Sequence, residues 1–504
     1  MKTLEEIFIR VPEASIFGDG KIRPEILITD SRRVIPGALF FALGGLRTDG
    51  ALFAADAVAR GAVAVVSRER LALPASVAQV IVPDVSRALA FAAAAFYGEP
   101  QKALKLVGVT GTNGKTSVTS IVRFLMMRQS GARAPWGLIG TVRYELGARS
   151  MPSYKTTPES LDVLGFFAEM RDGGCEGAVM EVSSHAVAQN RVYGLPFDVV
   201  AFTNLTQDHM DYHGDMENYF AVKRRLFDGS QGACPRVAVV NADDAYGRRL
   251  LAAVAPETRV VVFGTDGGNA PDAAERFEAR DVVSDAAGSR FTLVCPAGTF
   301  PAKTSLPGHY NVSNALCALA VVFALGGDVA RAAADLADFP GVPGRMERVS
   351  ENPFPFDVFV DYAHTDDALT NTLGMLRKVV RGRLLVVFGC GGNRDRGKRP
   401  KMARAVQALA DFAWATSDNP RGEPLERIFD DMRAGVVAPE KIVFEPDRRR
   451  AIGLALDAAG AGDVVLIAGK GHETYQEFAD VTLPFDDRAV ARELLALRAC
   501  RVGP

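Results

Sequence analysis

Six consecutive residues, Gly111-Thr112-Asn113-Gly114-Lys115-Thr116, constrain this chain more than any other feature. They follow an apolar stretch, Leu104–Val109, and precede a helical pattern that runs through Arg128. A strand, a glycine-rich turn and a helix in that order form a phosphate-binding loop. Glycines let backbone N–H groups close around phosphate oxygens, and the helix N-terminus adds positive potential. Lys115 is then expected to reach the β/γ-phosphates and Thr116 to hold Mg2+. The spacing is a variant: the residue five before Gly114 is Val109, and the extra glycine is Gly108 or Gly111. Such a loop calls for an α/β sheet around it, but by itself it says only "nucleoside triphosphate".

The 504 residues suggest about three domains at ~100–200 residues each. Residues 1–100 read as short buried strands at Ile26–Thr29, Leu39–Ala42 and Val63–Val66, with helices at Ala51–Arg60 and Ser86–Tyr97. Gly98-Glu99-Pro100 makes a joint. Residues 101–339 hold the phosphate loop, further strands at Gly177–Val182, Val199–Thr203, Val237–Val240 and Val260–Phe263, and a helix at Asn311–Leu325. That alternation predicts a mostly parallel sheet covered on both faces. Pro340-Gly341-Val342-Pro343-Gly344 is a second joint. Beyond it, residues 340–504 alternate strands at Val358–Asp361, Leu384–Phe388, Phe412–Ala415, Lys441–Phe444 and Val464–Ala468 with helices. This predicts a C-terminal doubly wound, Rossmann-like unit.

Composition removes several classes. Lys plus Arg is 58 and Asp plus Glu is 60, so there is no basic excess for a nucleic acid partner. The longest apolar runs, Ala88–Tyr97 and Ala315–Leu325, fall short of the ~18–20 residues that cross a bilayer, so no membrane partner is expected. The start, Met-Lys-Thr-Leu-Glu-Glu, has acid where a signal peptide has its apolar stretch. Six cysteines are scattered without a C-x-x-C pair. That speaks against a disulfide framework or zinc ribbon and suits the cytoplasm.

Other residues qualify as candidates by position. Glu181 ends a predicted strand, where ligands of α/β sheets bind, and can ligate Mg2+ beside Thr116. The alternative is a solvated acid before a Ser183-Ser184 helix cap. Asp208 and His209 likewise follow a strand. Imidazole is unusual for Mg2+, so His209 is either a ligand or a hydrogen-bonded structural residue. Lys223, in a predicted helix Tyr219–Phe227, has the residue type of a solvated face.

Taken together, the motifs are the phosphate loop, Glu181-Val-Ser-Ser-His185, Thr203-Asn-Leu-Thr-Gln-Asp-His209 and Leu306-Pro-Gly-His-Tyr-Asn-Val-Ser-Asn314, then Pro343-Gly-Arg-Met-Glu347, Val360-Asp-Tyr-Ala-His-Thr365, Asp418-Asn-Pro-Arg421 and Ala468-Gly-Lys-Gly-His-Glu473. In this order the chain resembles, along essentially its whole length, the Mur ligase family of peptidoglycan-precursor synthetases. The resemblance implies that the first unit binds the UDP end of a substrate, through Thr29–Arg32 (Ser31 included) and Leu46–Gly50. It implies that Thr156, Thr157, Ser183, Gln189 and Arg191 hold a muramoyl-dipeptide. Lys223 matches the lysine that this family carbamylates to N6-carboxylysine, an anionic ligand, with Glu181 and His209 as metal partners. Ser117, which continues the phosphate loop, and Asn311, Arg345 and Asp361 match nucleotide-binding positions. Arg394, Asp418, Asn419, Pro420, Arg421, Gly469 and Glu473 match the amino-acid site. Two departures stand out. Asp366 follows Thr365 where the family often has proline, and Gly422-Glu423-Pro424 brings a proline one place early.

The activity so implied is ATP-dependent amide ligation, with Mg2+ as cofactor and catalytic roles for Lys115, Glu181, His209 and Lys223. A carboxylate is a poor electrophile, so ATP phosphorylates it and an amine displaces the phosphate. The implied small-molecule substrates are ATP, UDP-MurNAc-L-Ala-D-Glu and meso-diaminopimelate, and the enzyme is expected to be a monomer. Diaminopimelate carries a second carboxylate that lysine lacks. Arg421 is the candidate cation for it, with Pro420 stiffening the loop, Asn419 orienting the ligand and Arg394 serving the other end. The alternative for Arg421 is a solvated turn residue. Lysine addition, a sibling Mur or folylpolyglutamate-type ligase, a P-loop motor or transport ATPase, and a non-catalytic nucleotide binder are the rival readings.

Overall fold

A computed structural model describes residues 1–45, 48–131, 135–265, 275–285, 287–349 and 351–502. Leu46 and Arg47, in the stretch expected at a uridine site, lie outside the described residues. No helix among the described residues is long and apolar enough to cross a membrane. The chain is α/β, and its Cα positions fall into two compact units. One takes in Met1–Phe263 and Ala320–Asp328, the other Arg276–Leu319 and Val329–Pro504.

The first unit contains two sheets. A five-stranded sheet runs in the order Ser15–Phe17, Ala78–Ile81, Ala62–Ser67, Ala38–Phe41, Ile26–Ile28, parallel except for the first. The second sheet has six parallel strands in the order Arg259–Gly264, Val237–Asn241, Val199–Phe202, Lys105–Thr110, Gly177–Glu181, Trp136–Ile139. Its edge is extended by two antiparallel strands, Arg143–Glu145 and Ser150–Pro152. One apolar core serves both sheets, from Leu4 and Phe41 through Leu89 to Phe167 and Val200. The phosphate-loop strand Lys105–Thr110 is central. Glu181 lies opposite Val109 on one side and Phe202 opposite Thr110 on the other. The residues after all three strands therefore emerge side by side at one edge.

The second unit contains an antiparallel meander, Glu275–Asp285, Gly288–Cys295 and Gly298–Thr304. Its main sheet runs in the order Glu347–Arg348, Asp357–Asp361, Val464–Ala468, Leu384–Cys390, Phe412–Ser417, Ile442–Glu445, parallel except for the first. Strands buried on both faces read as nearly continuous apolar runs. Alternate residues confirm two covered faces. Phe359, Val386, Phe388, Ala413, Ala415 and Leu466 pack with Leu369, Met402 and Ile428. Val358, Val360, Leu385, Val387, Trp414 and Ile467 pack with Ile452, Ala455 and Leu495. The loops after Asp361, Cys390, Ser417 and Ala468 share the carboxyl edge, where doubly wound sheets bind ligands.

A fully buried ion pair underlies that edge. Arg448 donates from Nε and Nη2 to the two carboxylate oxygens of Asp487 at 2.8 and 2.7 Å. It also donates to the carbonyls of Ala468 at 3.0 Å and Ser417 at 3.4 Å, the last residues of two sheet strands. Removing one partner of such a pair strands the other in a low-dielectric interior. Asp487→Ala should therefore lower the unfolding free energy by about 3–5 kcal/mol, as read by urea unfolding against wild type; a loss below about 1 kcal/mol contradicts this account.

Candidate active site

The phosphate loop is held by the segment after the neighbouring strand. Thr112 N donates to Asn204 O at 2.9 Å and Asn113 N to Asn204 Oδ1 at 2.9 Å. Thr203 Oγ1 donates to Asn113 O at 2.6 Å. Gly111 has φ +147°, and a Cβ there would lie 1.9 Å from Thr203 Oγ1, so only glycine fits. Gly114, at φ +85°, leads into the helix Lys115–Ser130. Lys115 Nζ donates to the carbonyls of Gly111 and Thr112, both at 2.9 Å, so it arches over the loop. Thr116 and Ser117 are buried in the first turn.

Glu181 is 1% exposed, so it is not a solvated acid. Its Oε2 accepts from Thr116 Oγ1 and from Thr141 Oγ1, both at 3.0 Å, and its Oε1 accepts from Thr141 N at 2.7 Å. Thr141 follows the strand Trp136–Ile139, which the sequence reading missed. Around Glu181 the dipeptide candidates converge. Thr156 Oγ1 lies 3.1 Å from Thr141 Oγ1, and Thr157 Oγ1 donates to Glu181 O at 2.8 Å. Ser183 N donates to Thr157 Oγ1 at 3.1 Å, while Ser183 Oγ caps the helix Ser184–Ala188. Arg191 reaches Thr157 O at 2.8 Å and Gln189 Oε1 at 2.6 Å. Its Nε is buried without a hydrogen-bond partner among the described residues. Ser31 opens a short turn in the first sheet's region and shares no hydrogen bond with this group among the described residues.

Lys223 does not lie on a solvated face. Its helix starts earlier than the apolar pattern suggests, at Met216 behind an Asp215 cap, and ends at Arg224. Lys223 is 1% exposed. Its Nζ donates to Gly111 O at 3.0 Å and lies 4.8 Å from the Tyr219 ring centroid. Burial, and then the Lys115 charge, hold its pKa well below the ordinary lysine value. Tyr219 is the second residue the sequence reading passed over; its hydroxyl lies 3.2 Å from Thr112 Oγ1. His209 takes φ +56° at the start of the turn Met210–His213, 3.4 Å from the Asp208 carboxylate. Its ring lies 4.8 Å from that of His185 and 6.4 Å from Tyr219. Thr116 Oγ1 and Glu181 Oε2 are hard oxygen donors 3.0 Å apart, which suits Mg2+. No cluster of three His, Cys, Asp or Glu residues that could hold a metal occurs among the described residues. Phosphate oxygens and water would complete the Mg2+ shell, as is common for this ion.

The second unit carries the remaining candidates. Asp361 is buried and accepts from Met346 N at 2.7 Å and Ala363 N at 3.0 Å. Burial pushes its carboxyl up, against the lowering pull of Arg345. Arg345 stacks 4.6 Å over the Tyr362 ring. Asn311 is buried, with Nδ2 on Pro307 O at 2.8 Å. Asp366, at the departure from the family pattern, takes the first position of a helix capped by Thr365. Proline also favours that position.

The amino-acid candidates form a connected cluster. Asn419 is buried; its Nδ2 donates to Glu473 Oε2 at 2.8 Å, and its Oδ1 accepts from Lys470 Nζ at 3.0 Å and Glu477 N at 3.1 Å. The side chain expected to orient a ligand is thus tied into the loop's own hydrogen bonds. Lys470, which the sequence reading left unassigned, is fully buried and also donates to Glu473 Oε2 at 3.0 Å. Gly469 has φ +112°, and a Cβ there would lie 2.7 Å from Asp418 Oδ2. Arg421 is partly exposed and held on two sides. Its Nη1 donates to Gly392 O at 3.1 Å and its Nε pairs with Glu477 at 2.7 Å. Its Nη2 makes no hydrogen bond among the described residues. Pro420 is buried beside it, and Arg394 is exposed. Glu477 lies on the hairpin Tyr475–Phe478 and Val481–Pro484, for which the sequence offered no turn signal.

Family models match three stretches in chain order. Residues 25–97 match the Mur ligase family catalytic domain, 109–322 the Mur ligase middle domain, and 344–471 the Mur ligase glutamate ligase domain. The UDP-N-acetylmuramoyl-L-alanyl-D-glutamate–2,6-diaminopimelate ligase of Solibacter usitatus is 47% identical over 471 residues, 93% of each chain. The ligase of that name from Geobacillus thermodenitrificans is 46% identical over 502 residues, 97% of this chain and 98% of the relative. A solved structure of a ligase with the same name superposes with a TM-score of 0.69 at 32% identity, covering 99% of both chains.

The geometry also sets a proton equilibrium. His472 packs 5.1 Å from the Tyr362 ring, and its Nδ1 is buried without a hydrogen-bond partner among the described residues. Burial, then the charges of Arg345, Arg488 and Lys470, push its pKa down to about 4 from an ordinary 6.5. Between those values the unfolded chain takes up the proton and the folded chain does not. The contribution of His472 to stability is therefore intact above pH 6.5 and falls as the pH drops towards 4. A titration followed by imidazole NMR should give a midpoint near 4 for His472. A midpoint at the ordinary histidine value would overturn the placement, and His472→Phe should flatten this part of the pH–stability curve.

Proposed function

The chain belongs to the Mur ligase family, and from that premise we propose that it joins meso-diaminopimelate to the γ-carboxylate of D-Glu in UDP-MurNAc-L-Ala-D-Glu. It uses ATP, acts in the cytoplasm and releases ADP and phosphate. A carboxylate oxygen attacks the γ-phosphorus of ATP, and the bond to the ADP oxygen breaks. The amine of diaminopimelate then attacks the acyl carbon, loses a proton, and inorganic phosphate departs with its bonding pair.

Both steps gather negative charge on crowded oxygens. The Lys115 ammonium and the backbone N–H groups at the start of the helix that Gly114 leads into would counter it at the phosphates. Thr116 and Glu181 would hold Mg2+, which when bound supplies further charge neutralisation. Asn311, Arg345 and Asp361 would bind the nucleotide. Thr156, Thr157, Ser183, Gln189 and Arg191 would orient the muramoyl-dipeptide, and Ser31 would serve its UDP end. Lys223 would act as N6-carboxylysine. A lysine amine must be neutral to attack CO2, and a depressed pKa supports that reading. Once modified, it would supply carboxylate oxygens that, with His209, would serve as a second metal-ligand group.

The observation that carries the amino-acid assignment is the guanidinium of Arg421 held by Glu477, whose backbone N–H donates to Asn419 Oδ1. Arg394, Asp418, Pro420 and Gly469 complete the expected site. A planar guanidinium binds a carboxylate through two parallel hydrogen bonds, and diaminopimelate has a far carboxylate where lysine has none.

The test is amino-acid-dependent ADP release with UDP-MurNAc-L-Ala-D-Glu present. Wild type should strongly prefer diaminopimelate over lysine. Arg421→Ala should raise KM for diaminopimelate by roughly 30- to 4,000-fold, the cost of breaking a held charge pair, and narrow the preference. Equal use of lysine by wild type, or an unchanged KM in the variant, would leave only an amide ligase of this family. Lys223→Ala should be nearly inactive and partly restored by short carboxylic acids. A fully active Lys223→Ala enzyme would rule out the modified-lysine role.

A further inference from the structure

Two loops leave adjacent strands at the carboxyl edge of the second unit's main sheet. Residues 391–394 follow Leu384–Cys390, and residues 418–423 follow Phe412–Ser417, with Cys390 opposite Ser417. Arg394 rides on one loop, and Asn419 and Arg421 on the other. The loops touch at backbone level. Gly392 N donates to Asn419 O at 2.9 Å, and a Cβ on Gly392 would lie 1.8 Å from Pro420 O. Asn393 and Arg421 hold φ values of +53° and +52°, which non-glycine residues keep only where their surroundings enforce them.

The enforcing group is a buried charge network beneath the loops. Arg399, in the first turn of the helix Lys398–Leu409, has a completely buried side chain. Its Nη1 donates to Glu423 Oε1 at 2.9 Å and Asp431 Oδ2 at 2.7 Å. Its Nη2 donates to Glu423 Oε2 at 2.7 Å and Gly391 O at 3.1 Å. Glu423 Oε2 in turn accepts from Asn393 N at 3.0 Å, and Asn393 Oδ1 accepts from Gly422 N at 3.1 Å. Arg396 donates to both oxygens of Asp431, from Nη2 to Oδ1 at 2.7 Å and from Nε to Oδ2 at 2.8 Å. One carboxylate therefore ties a turn of the first loop to the end of the second, and Arg399 fixes that carboxylate from below.

We infer that Glu423, gripped by Arg399, is a positioning residue for amino-acid selection, locking the 391–394 loop to the 418–422 loop so that Arg394 and Arg421 meet the two ends of one ligand. The inference rests on the reading that this edge takes diaminopimelate. A ligand with a charged carboxylate at each end senses the relative placement of two loops. Lysine, with one carboxylate, senses it less. Hydrogen bonds from Arg399 pull the Glu423 carboxyl down to about 2, and those from Arg396 and then Arg399 do the same for Asp431, so the network stays ionised at neutral pH.

Glu423→Gln keeps the shape, and an amide oxygen can still accept from Asn393 N, but the charge is gone. It should raise KM for diaminopimelate by about 10- to 150-fold, the loss of a hydrogen bond to a charged group, while KM for ATP and for the UDP-dipeptide stays within about twofold. The preference for diaminopimelate over lysine should shrink by a similar factor, and Glu423→Asp should recover part of it. A merely structural role would lower the melting temperature without moving this ratio. Folded Glu423→Gln with an unchanged KM and ratio, or with all three KM values raised together, would refute the inference. Should that variant fail to fold, Asp431→Asn, which leaves the Arg399–Glu423 pair intact, decides the matter. It must show the same selective rise in smaller size, and an unchanged ratio counts against the proposal. Wild type that ignores diaminopimelate would sink the functional reading instead, whatever the variants do.

Discussion

Parallel pairing between Lys105–Thr110 and its two neighbours governs the first unit's chemistry. The register sets Glu181 against Val109 and Phe202 against Thr110, so three chain segments leave the sheet level with one another. The phosphate loop then lies between Glu181 and the Thr203–His209 segment by construction. Each neighbour supplies what the loop lacks. Glu181 gives the Thr116 hydroxyl a carboxylate partner, and Thr203 and Asn204 hold the loop's own backbone. A slip of one residue would turn Glu181 to the opposite face of the sheet. The second unit repeats the principle with four loops at one carboxyl edge.

Buried charge is the cost of that arrangement, and the chain meets it differently at each place. Arg448 and Asp487 neutralise each other in a dry pair. Arg399 shares two carboxylates, and Lys470 sits between Asn419 and Glu473. Lys223, by contrast, hydrogen-bonds to a hydroxyl and a carbonyl oxygen, faces an aromatic ring, and forms no ion pair among the described residues. An ammonium so placed is poorly paid for by its neighbours, and its pKa falls accordingly. Arg399 and Arg448, paired with carboxylates, are held in the charged form, whereas Lys223 is chemically available.

What could be read from the sequence follows from the range of each interaction. The phosphate loop and the strands Leu384–Cys390 and Val464–Ala468 are local patterns, and glycines or unbroken apolar runs announce them. The edge strand Ser15–Phe17 and the hairpin around Glu477 are short and half exposed, so no periodicity marks them. The Glu423 partnership with Arg399 spans 24 residues, and that of Arg448 with Asp487 spans 39. Neither has any local signature. Lys223 shows the limit most plainly. Its residue type suggests solvent, and only the tertiary packing of its helix under the phosphate loop buries it. The resemblance, not the residue, pointed to it beforehand.

The far end of the proposed amino acid brings the two charge patterns together. Diaminopimelate ends in an ammonium and a carboxylate on one carbon, so that end carries no net charge. Arg421 with Glu477 is likewise a neutral pair, one acidic and one basic group 2.7 Å apart. A zwitterionic end can exchange partners with such a pair, carboxylate to guanidinium and ammonium to carboxylate, while leaving every charge compensated. Lysine would bring an ammonium alone. It could reach Glu477 only by taking the partner of Arg421 and returning none, which leaves a guanidinium partly desolvated and uncompensated. On this reading the carboxylate contact of Arg421 is one half of the selectivity. The other half would be the preformed Arg421–Glu477 ion pair, which a ligand end carrying both signs can replace without loss.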